Sequence, residues 1–168
     1  MATVKYIKNN AGALTEESAL DTSAGAGDAG KIVALDAAGR IDNSMMPVGI
    51  GADTQAITAS EALAAGDLVN IWDDSGAKVR KADATIAGKE AHGYVLSAVS
   101  SAALATVYFE GTNTAVTGLT PGVQFLTTTA GVSSNTAPSG TGNVVQRVGF
   151  ATSATTLNFH SQPPVTLA

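Results

Sequence analysis

Gly66-Asp67-Leu68-Val69-Asn70-Ile71-Trp72 leads into a turn at Asp73-Asp74-Ser75-Gly76 and out through Lys78-Val79-Arg80, and the chain repeats this pattern once. The second occurrence runs Gly122-Val123-Gln124-Phe125-Leu126-Thr127, turns at Gly131 and leaves through Val132-Ser133-Ser134. Each reads as a hairpin opened by glycine, with a second glycine at the turn, where a positive φ carries little penalty. In both, a further glycine stands 27 residues after the first and precedes an aromatic strand. These strands are Gly93-Tyr94-Val95-Leu96-Ser97 and Gly149-Phe150-Ala151-Thr152-Ser153. An apolar strand then closes each unit, Leu104–Phe109 in the first and Thr156–Phe159 in the second.

Working outward, segments of strand character separated by turn clusters fill the chain from about residue 54. They are 55–58, 68–72, 78–81, 93–97, 104–109, 123–128, 144–148 and 156–160. Thr58-Ala59-Ser60-Glu61 has the spacing of a capping box, but Gly66 follows so soon that one helical turn is the most it predicts. The expected fold class is all-β: a small β-barrel or sandwich built from two similar β-meanders across residues 53–168. Such closure removes or shortens the free sheet edges that invite aggregation.

Residues 1–52 read as an extended N-terminal arm. Asn9-Asn10-Ala11-Gly12 and Ser23-Ala24-Gly25-Ala26-Gly27-Asp28-Ala29-Gly30 are poor in large apolar residues. Leu14-Thr15-Glu16-Glu17-Ser18-Ala19-Leu20 between them has the composition for a turn or two of helix, far short of the ~12 residues an isolated helix needs. A short strand is expected at Lys31-Ile32-Val33-Ala34-Leu35, then a tight turn at Asp36-Ala37-Ala38-Gly39. Leu14, Leu20, Ile32, Val33, Leu35, Ile41, Met45, Met46 and Val48 recur along a stretch that cannot make its own core. Laid across a partner, they would be its binding residues.

Composition narrows the function. Of the 168 residues 45% are hydrophobic, but much of that is Ala and Val, and only 5% are aromatic. Buried area sets hydrophobic stabilisation at about 25 cal/mol per Å², so small side chains stabilise a monomer thinly and favour burial against other subunits. Charged residues make up 14%, against roughly 25% for an ordinary domain, which leaves a surface of Thr, Ser, Asn, Gly and Ala that suits extracellular, particle-coat and fibre proteins better than cytosolic enzymes. A net charge of −5, with Lys78, Arg80 and Lys81 the only close set of cations, argues against a nucleic-acid partner. There are no cysteines, hence no disulfides or thiolate sites. No apolar run approaches the ~20 residues of a membrane helix, and Met-Ala-Thr-Val-Lys-Tyr does not resemble a signal peptide. A soluble protein made and assembled in a cytosol is expected.

Catalytic and cofactor signatures are nearly absent. His92, in Glu90-Ala91-His92-Gly93, has one carboxylate two residues away and no third ligand, and reads as a turn residue; His160 reads likewise. Asp73-Asp74-Ser75-Gly76 suggests a calcium loop only until its closing position is checked, because that position is Ala84 rather than Glu. Gly25-Ala26-Gly27-Asp28-Ala29-Gly30 matches G-x-G-x-x-G by letter but lacks the strand before and the helix after. No catalytic residue, metal ligand or cofactor site is therefore assigned. Trp72, Tyr108 and Phe109 are candidates for a subunit interface; Trp72 reads equally as a core anchor, with sugar stacking on it the minor alternative.

Residues 31–47, Lys31-Ile32-Val33-Ala34-Leu35-Asp36-Ala37-Ala38-Gly39-Arg40-Ile41-Asp42-Asn43-Ser44-Met45-Met46-Pro47, resemble a segment common in tailed-phage structural proteins. Gly66–Val69, Thr117–Gly122 and Asn143–Ala151 resemble parts of phage capsid decoration (cement) proteins of the small β-barrel type. The resemblance implies a non-enzymatic virion protein on the outer surface of the head, binding the major capsid protein and itself as a homotrimer. It implies no membrane or nucleic-acid partner. Similar phrases also occur in phage tail fibres, so a head-fibre or tail-fibre domain binding a host receptor or glycan is the alternative.

Overall fold

The structure, a computed structural model, describes residues 4–46 and 50–168. The chain divides into two compact units, residues 1–51 and 52–168.

The first unit opens with a hairpin of β1 (Lys5–Asn10) and β2 (Ala13–Ser18). The expected helical turns at Leu14–Leu20 are therefore replaced by a strand. Two observations account for it. Ala11 and Gly12 take positive φ (51° and 94°), the two-residue loop whose twist suits paired strands. Lys8 then pairs across the strands with Glu17 at 3.2 Å, and Lys5 with Glu16. The expected strand at Lys31–Leu35 is reduced to one bridge, Val33 beside Leu20, because no longer strand lies alongside it. Asp36-Ala37-Ala38-Gly39 is a tight turn, with the Asp36 carboxylate accepting from the backbone N–H of Ala38 and Arg40, each at 2.8 Å. Among the described residues of this unit helix is limited to 3-10 turns at Ala26–Asp28 and Asn43–Met45, and no residue of them is buried.

The second unit is built from β3 (Thr54–Ala59), β4 (Leu68–Asp73), β5 (Ala77–Lys81), β6 (Gly93–Tyr94), β7 (Leu104–Tyr108) and β8 (Gly111–Asn113). Then follow β9 (Gly122–Leu126), β10 (Ser133–Ser134), β11 (Val144–Val145), β12 (Arg147–Ser153), β13 (Thr156–Phe159) and β14 (Val165–Thr166). Capping-box spacing at Thr58–Glu61 makes no helical turn: Thr58 and Ala59 end β3, and the Glu61 carboxylate accepts from the Lys81 N–H at 2.7 Å.

The strands form a closed barrel in the order β3-β5-β4-β6-β7 and an open sheet in the order β10-β9-β12-β13-β8. Reading β4, β5, β6 and β7 against β9, β10, β12 and β13, the two orders are the same. The register differs by one residue: Leu68, two residues after Gly66, pairs with Tyr94, whereas Val123, one residue after Gly122, pairs with Phe150, beside a register shift between Arg147 and Gly149. The halves differ in closure. β3 pairs antiparallel with β7 and parallel with β5, sealing a barrel within the first repeat, whereas the second repeat stays open. Five strands enclose a narrow space, so the barrel is filled by Ala59, Val69, Val79, Val95, Ala105 and Val107 around Ile57 and Leu63. The Ala- and Val-rich composition is the composition of this interior.

A second cluster joins the repeats. Leu68, Ala82, Ala84, Ala91 and Tyr94 on the outside of the barrel pack against Leu126, Val148, Leu157 and Phe159 on the inner face of the open sheet. Buried amides fix this contact. Gln146 donates to the Ala91 carbonyl at 3.0 Å and accepts from the Ala91 N–H at 2.8 Å. Asn113 donates to the Gly66 carbonyl at 3.0 Å.

The repeat-opening aromatic strands need glycine for a shared reason. A Cβ on Gly93 would stand 2.6 Å from the Tyr108 carbonyl oxygen, and one on Gly149 would stand 2.0 Å from that of Asn158. The closing strand presses on the same point in both repeats. Gly149→Ala, which also strains a φ of 138°, is expected to cost about 3 kcal/mol or more, read as a lower urea midpoint. Gln146→Leu leaves both polar groups of Ala91 without partners and should cost roughly 2–4 kcal/mol in the same titration.

Candidate functional site

In the first unit the apolar residues named from sequence separate into two groups. Leu20, Val33 and Met45 converge on a shallow cleft of about 240 Å³, rimmed by Ser23, Asp28 and Lys31. Leu14, Ile32, Leu35, Ile41 and Met46 are exposed, Leu14 by 75%, and Val4 and Ile7 join them. Val48 lies outside the described residues. None of the described residues of this unit is buried. The Asp28 carboxylate accepts from the Ala24 N–H at 2.7 Å and from Lys31 at 3.1 Å, and these bonds hold its pKa below the usual value. The glycine-rich stretch is thus a loop organised by its own aspartate, with that carboxylate turned onto the loop's own donors.

The three residues expected at a subunit interface go to different surroundings. Trp72 is half-buried, its indole N–H donating to Ser60 Oγ at 3.2 Å and its ring covered by the Arg80 guanidinium 4.5 Å from the centroid. Tyr108 stacks on Tyr94 with ring centroids 5.3 Å apart. Phe109 packs with Ile71 and Val99 against the cluster that fills the barrel. The close set of cations is individually engaged: Lys78 with Asp74 at 2.9 Å, Lys81 with Asp67 at 3.1 Å, and Arg80 with Asn70 and the Gly88 carbonyl.

His92, Glu90 and Asp73, the groups weighed for chemistry in the sequence, are each hydrogen-bonded to backbone N–H groups. The cleft lined by Glu90, His92, Gln146 and Ser161–Pro164 has about 510 Å³ of space. There His92 Nδ1 accepts from the Ile71 N–H at 3.0 Å, and the Glu90 carboxylate accepts from the Gly88 N–H at 3.0 Å. At the hairpin turn, Asp73 accepts from the Gly76 N–H at 2.9 Å. Among the described residues, no group of three or more His, Cys, Asp or Glu is placed to hold a metal ion. No helix among them is long and apolar enough to cross a membrane. Gln124 Oε1 is buried without a partner among the described residues, but Gln124 lines none of the clefts named above.

Sequence reasoning missed one surface, the outer face of the open sheet. Val123 and Phe150, paired across β9 and β12, are 41% and 42% exposed, and Phe125 is half-buried beside Arg147. Phe150 was read only as one of two equivalent Gly-aromatic signals. The signal that could have separated it from Tyr94 is the pair Val123–Phe150 with Arg147 close in sequence, an apolar and charged alternation typical of a face open to solvent.

No family model, curated protein or solved structure matches the chain.

The buried carboxylate of the second unit that titrates abnormally is Asp83. Burial works to raise its pKa, but hydrogen bonds from Thr85 and Lys89 outweigh it and hold the carboxyl below the usual value. A depressed pKa contributes stability that is present above the unfolded value near 4 and lost as pH falls through the folded value. Asp83→Asn should therefore cost roughly 1–3 kcal/mol at neutral pH. Its unfolding curve should converge on that of the native chain as the pH drops below about 4.

Proposed function

We propose that this chain is a structural protein of a tailed-phage particle, decorating and stabilising the head by binding the major capsid protein and associating with itself as a trimer. The observation that carries the binding role is the state of the first unit, which displays Val4, Ile7, Leu14, Ile32, Leu35 and Ile41 while burying none of its described residues. A two-stranded hairpin is marginal alone in water, so such a unit gains its stability from whatever covers it. The phage assignment rests on the resemblance of residues 31–47, Gly66–Val69, Thr117–Gly122 and Asn143–Ala151.

Each exposed side chain supplies a modest contact, and joining several copies turns these into strong attachment through effective concentration. The fibre alternative needs an open aromatic platform for a sugar. Arg80 covers one face of Trp72 and Tyr94 one face of Tyr108, which leaves Phe150 on the open sheet as the exposed aromatic such a platform could use.

The test uses the full chain with Ile32→Asp and Leu35→Asp together. Unfolding of the second unit should be unchanged, because neither residue is buried. Cosedimentation with expanded, undecorated heads of the cognate phage should show at least a tenfold loss of affinity, about 1.4 kcal/mol. Binding at undiminished affinity would remove the first unit from the contact and defeat this reading.

A further inference from the structure

In each repeat a strand stands ahead of the hairpin and pairs antiparallel with the closing strand, β3 with β7 and β8 with β13. β3 also pairs in parallel with β5 and seals the barrel, whereas β8 has no pairing with β10. A cleft of about 150 Å³ opens between these two, walled by Gly131, Val132 and Ser133 at β10 and by Ala115, Val116 and Leu119 just beyond β8. Ser133 brings unused backbone groups to it. The Leu126 N–H donates to the Gln146 carbonyl at 2.9 Å, so Leu126 and Ser133 form a non-hydrogen-bonded pair, and Ser133 turns its N–H and C=O away from β9. Neither group has a partner among the described residues, although Ser133 is only 7% exposed.

The first unit holds a segment of the matching kind. Ile32-Val33-Ala34 repeats the Ile-x-Ala order of Ile57-Thr58-Ala59, the part of β3 that reaches β5. Leu20 takes one edge of it: its N–H donates to the Ile32 carbonyl, and its carbonyl accepts from the Ala34 N–H. Alternation turns the N–H and C=O of Val33, and of Leu35 two residues on, to the opposite edge, where no described residue pairs with them.

We infer that Lys31–Leu35 of one copy adds to the free edge of β10 in a second copy, taking beside β10 the place that β3 holds beside β5. With the strands parallel, as β3 and β5 are, Ala34 stands opposite Ser133. The Ser133 N–H then donates to the Val33 carbonyl, and the Leu35 N–H donates to the Ser133 carbonyl. Val33, 51% exposed alone, lies beside Val132, itself 45% exposed, so each covers the other. Donor and acceptor are different surfaces, so the contact is head-to-tail, the kind that closes copies into a ring. It goes beyond the capsid reading: that reading uses the Ile32 and Leu35 side chains, whereas this contact uses the backbone of the segment and needs no phage head.

The experiment is sedimentation equilibrium on the full chain. Native protein should associate, and Val132→Asp and Ser133→Pro should each weaken the association at least tenfold with the β spectrum retained. Ser133→Ala keeps the backbone donor and acceptor and should associate as the native chain does. Val132 is exposed, so Val132→Asp decides the matter where proline at position 133 disturbs the fold. As the chain has no cysteine, an oxidised equimolar mixture of Val33→Cys and Val132→Cys should give a disulfide between position 33 of one copy and position 132 of another, identified by peptide mass. A native chain that stays monomeric, an association that Val132→Asp leaves unchanged, or the absence of the 33–132 link overturns the inference. An association lost with Ser133→Ala overturns the backbone pairing. Heads bound at undiminished affinity by the Ile32 and Leu35 variant count against the capsid reading alone, because none of these measurements uses heads.

Discussion

The fold hangs on the packing around Tyr94. Its ring stacks on Tyr108 at 5.3 Å and meets Phe159 at 5.5 Å and 60°, so one side chain ties the barrel wall to the open sheet. Aromatic pairs contribute roughly 0.5–1.5 kcal/mol each beyond the area they bury, a large share in a chain with few aromatic residues. The barrel interior, made of Ala and Val, buries little area per residue and could not carry the unit alone. The second repeat supplies the missing area by wrapping its inner face over the outside of the first.

That arrangement breaks the symmetry the repeats inherit from their strand order. The inner face of the first repeat closes on itself, and its outer face is covered by the second. The second repeat spends its inner face on this cover and has nothing left for its outer one. Closure within each repeat and closure between them are alternatives, because β8 and β10 are two to three residues long and never meet as β3 and β5 do. The half-finished barrel is therefore a consequence of the joint.

The strands of the second unit were legible because glycine spacing and alternation are local signals, and a glycine under a closing strand leaves the same mark in both repeats. The β3–β5 pairing was not legible: it joins Thr58 to Lys78 in parallel, and no local pattern reports a partner 20 residues away. Helix was expected at Leu14–Leu20 from residues that tolerate either state, and the Ala11-Gly12 turn decided for a hairpin. The candidate surface divides in the same way. Exposed apolar residues of the first unit could be named from the absence of anything to bury them. Tyr94 and Phe150 look alike as Gly-aromatic pairs, and only the tertiary packing makes one a core residue and the other a surface residue.

A chain with 14% charged residues has few means of choosing partners by charge, so its specificity must come from where apolar groups are displayed. The first unit displays them on a hairpin and turns, with none of its described residues buried. The second unit displays them on a sheet held rigid by Gln146, Asn113 and the Tyr94 cluster, which lowers the entropy lost on docking and favours a partner of fixed shape.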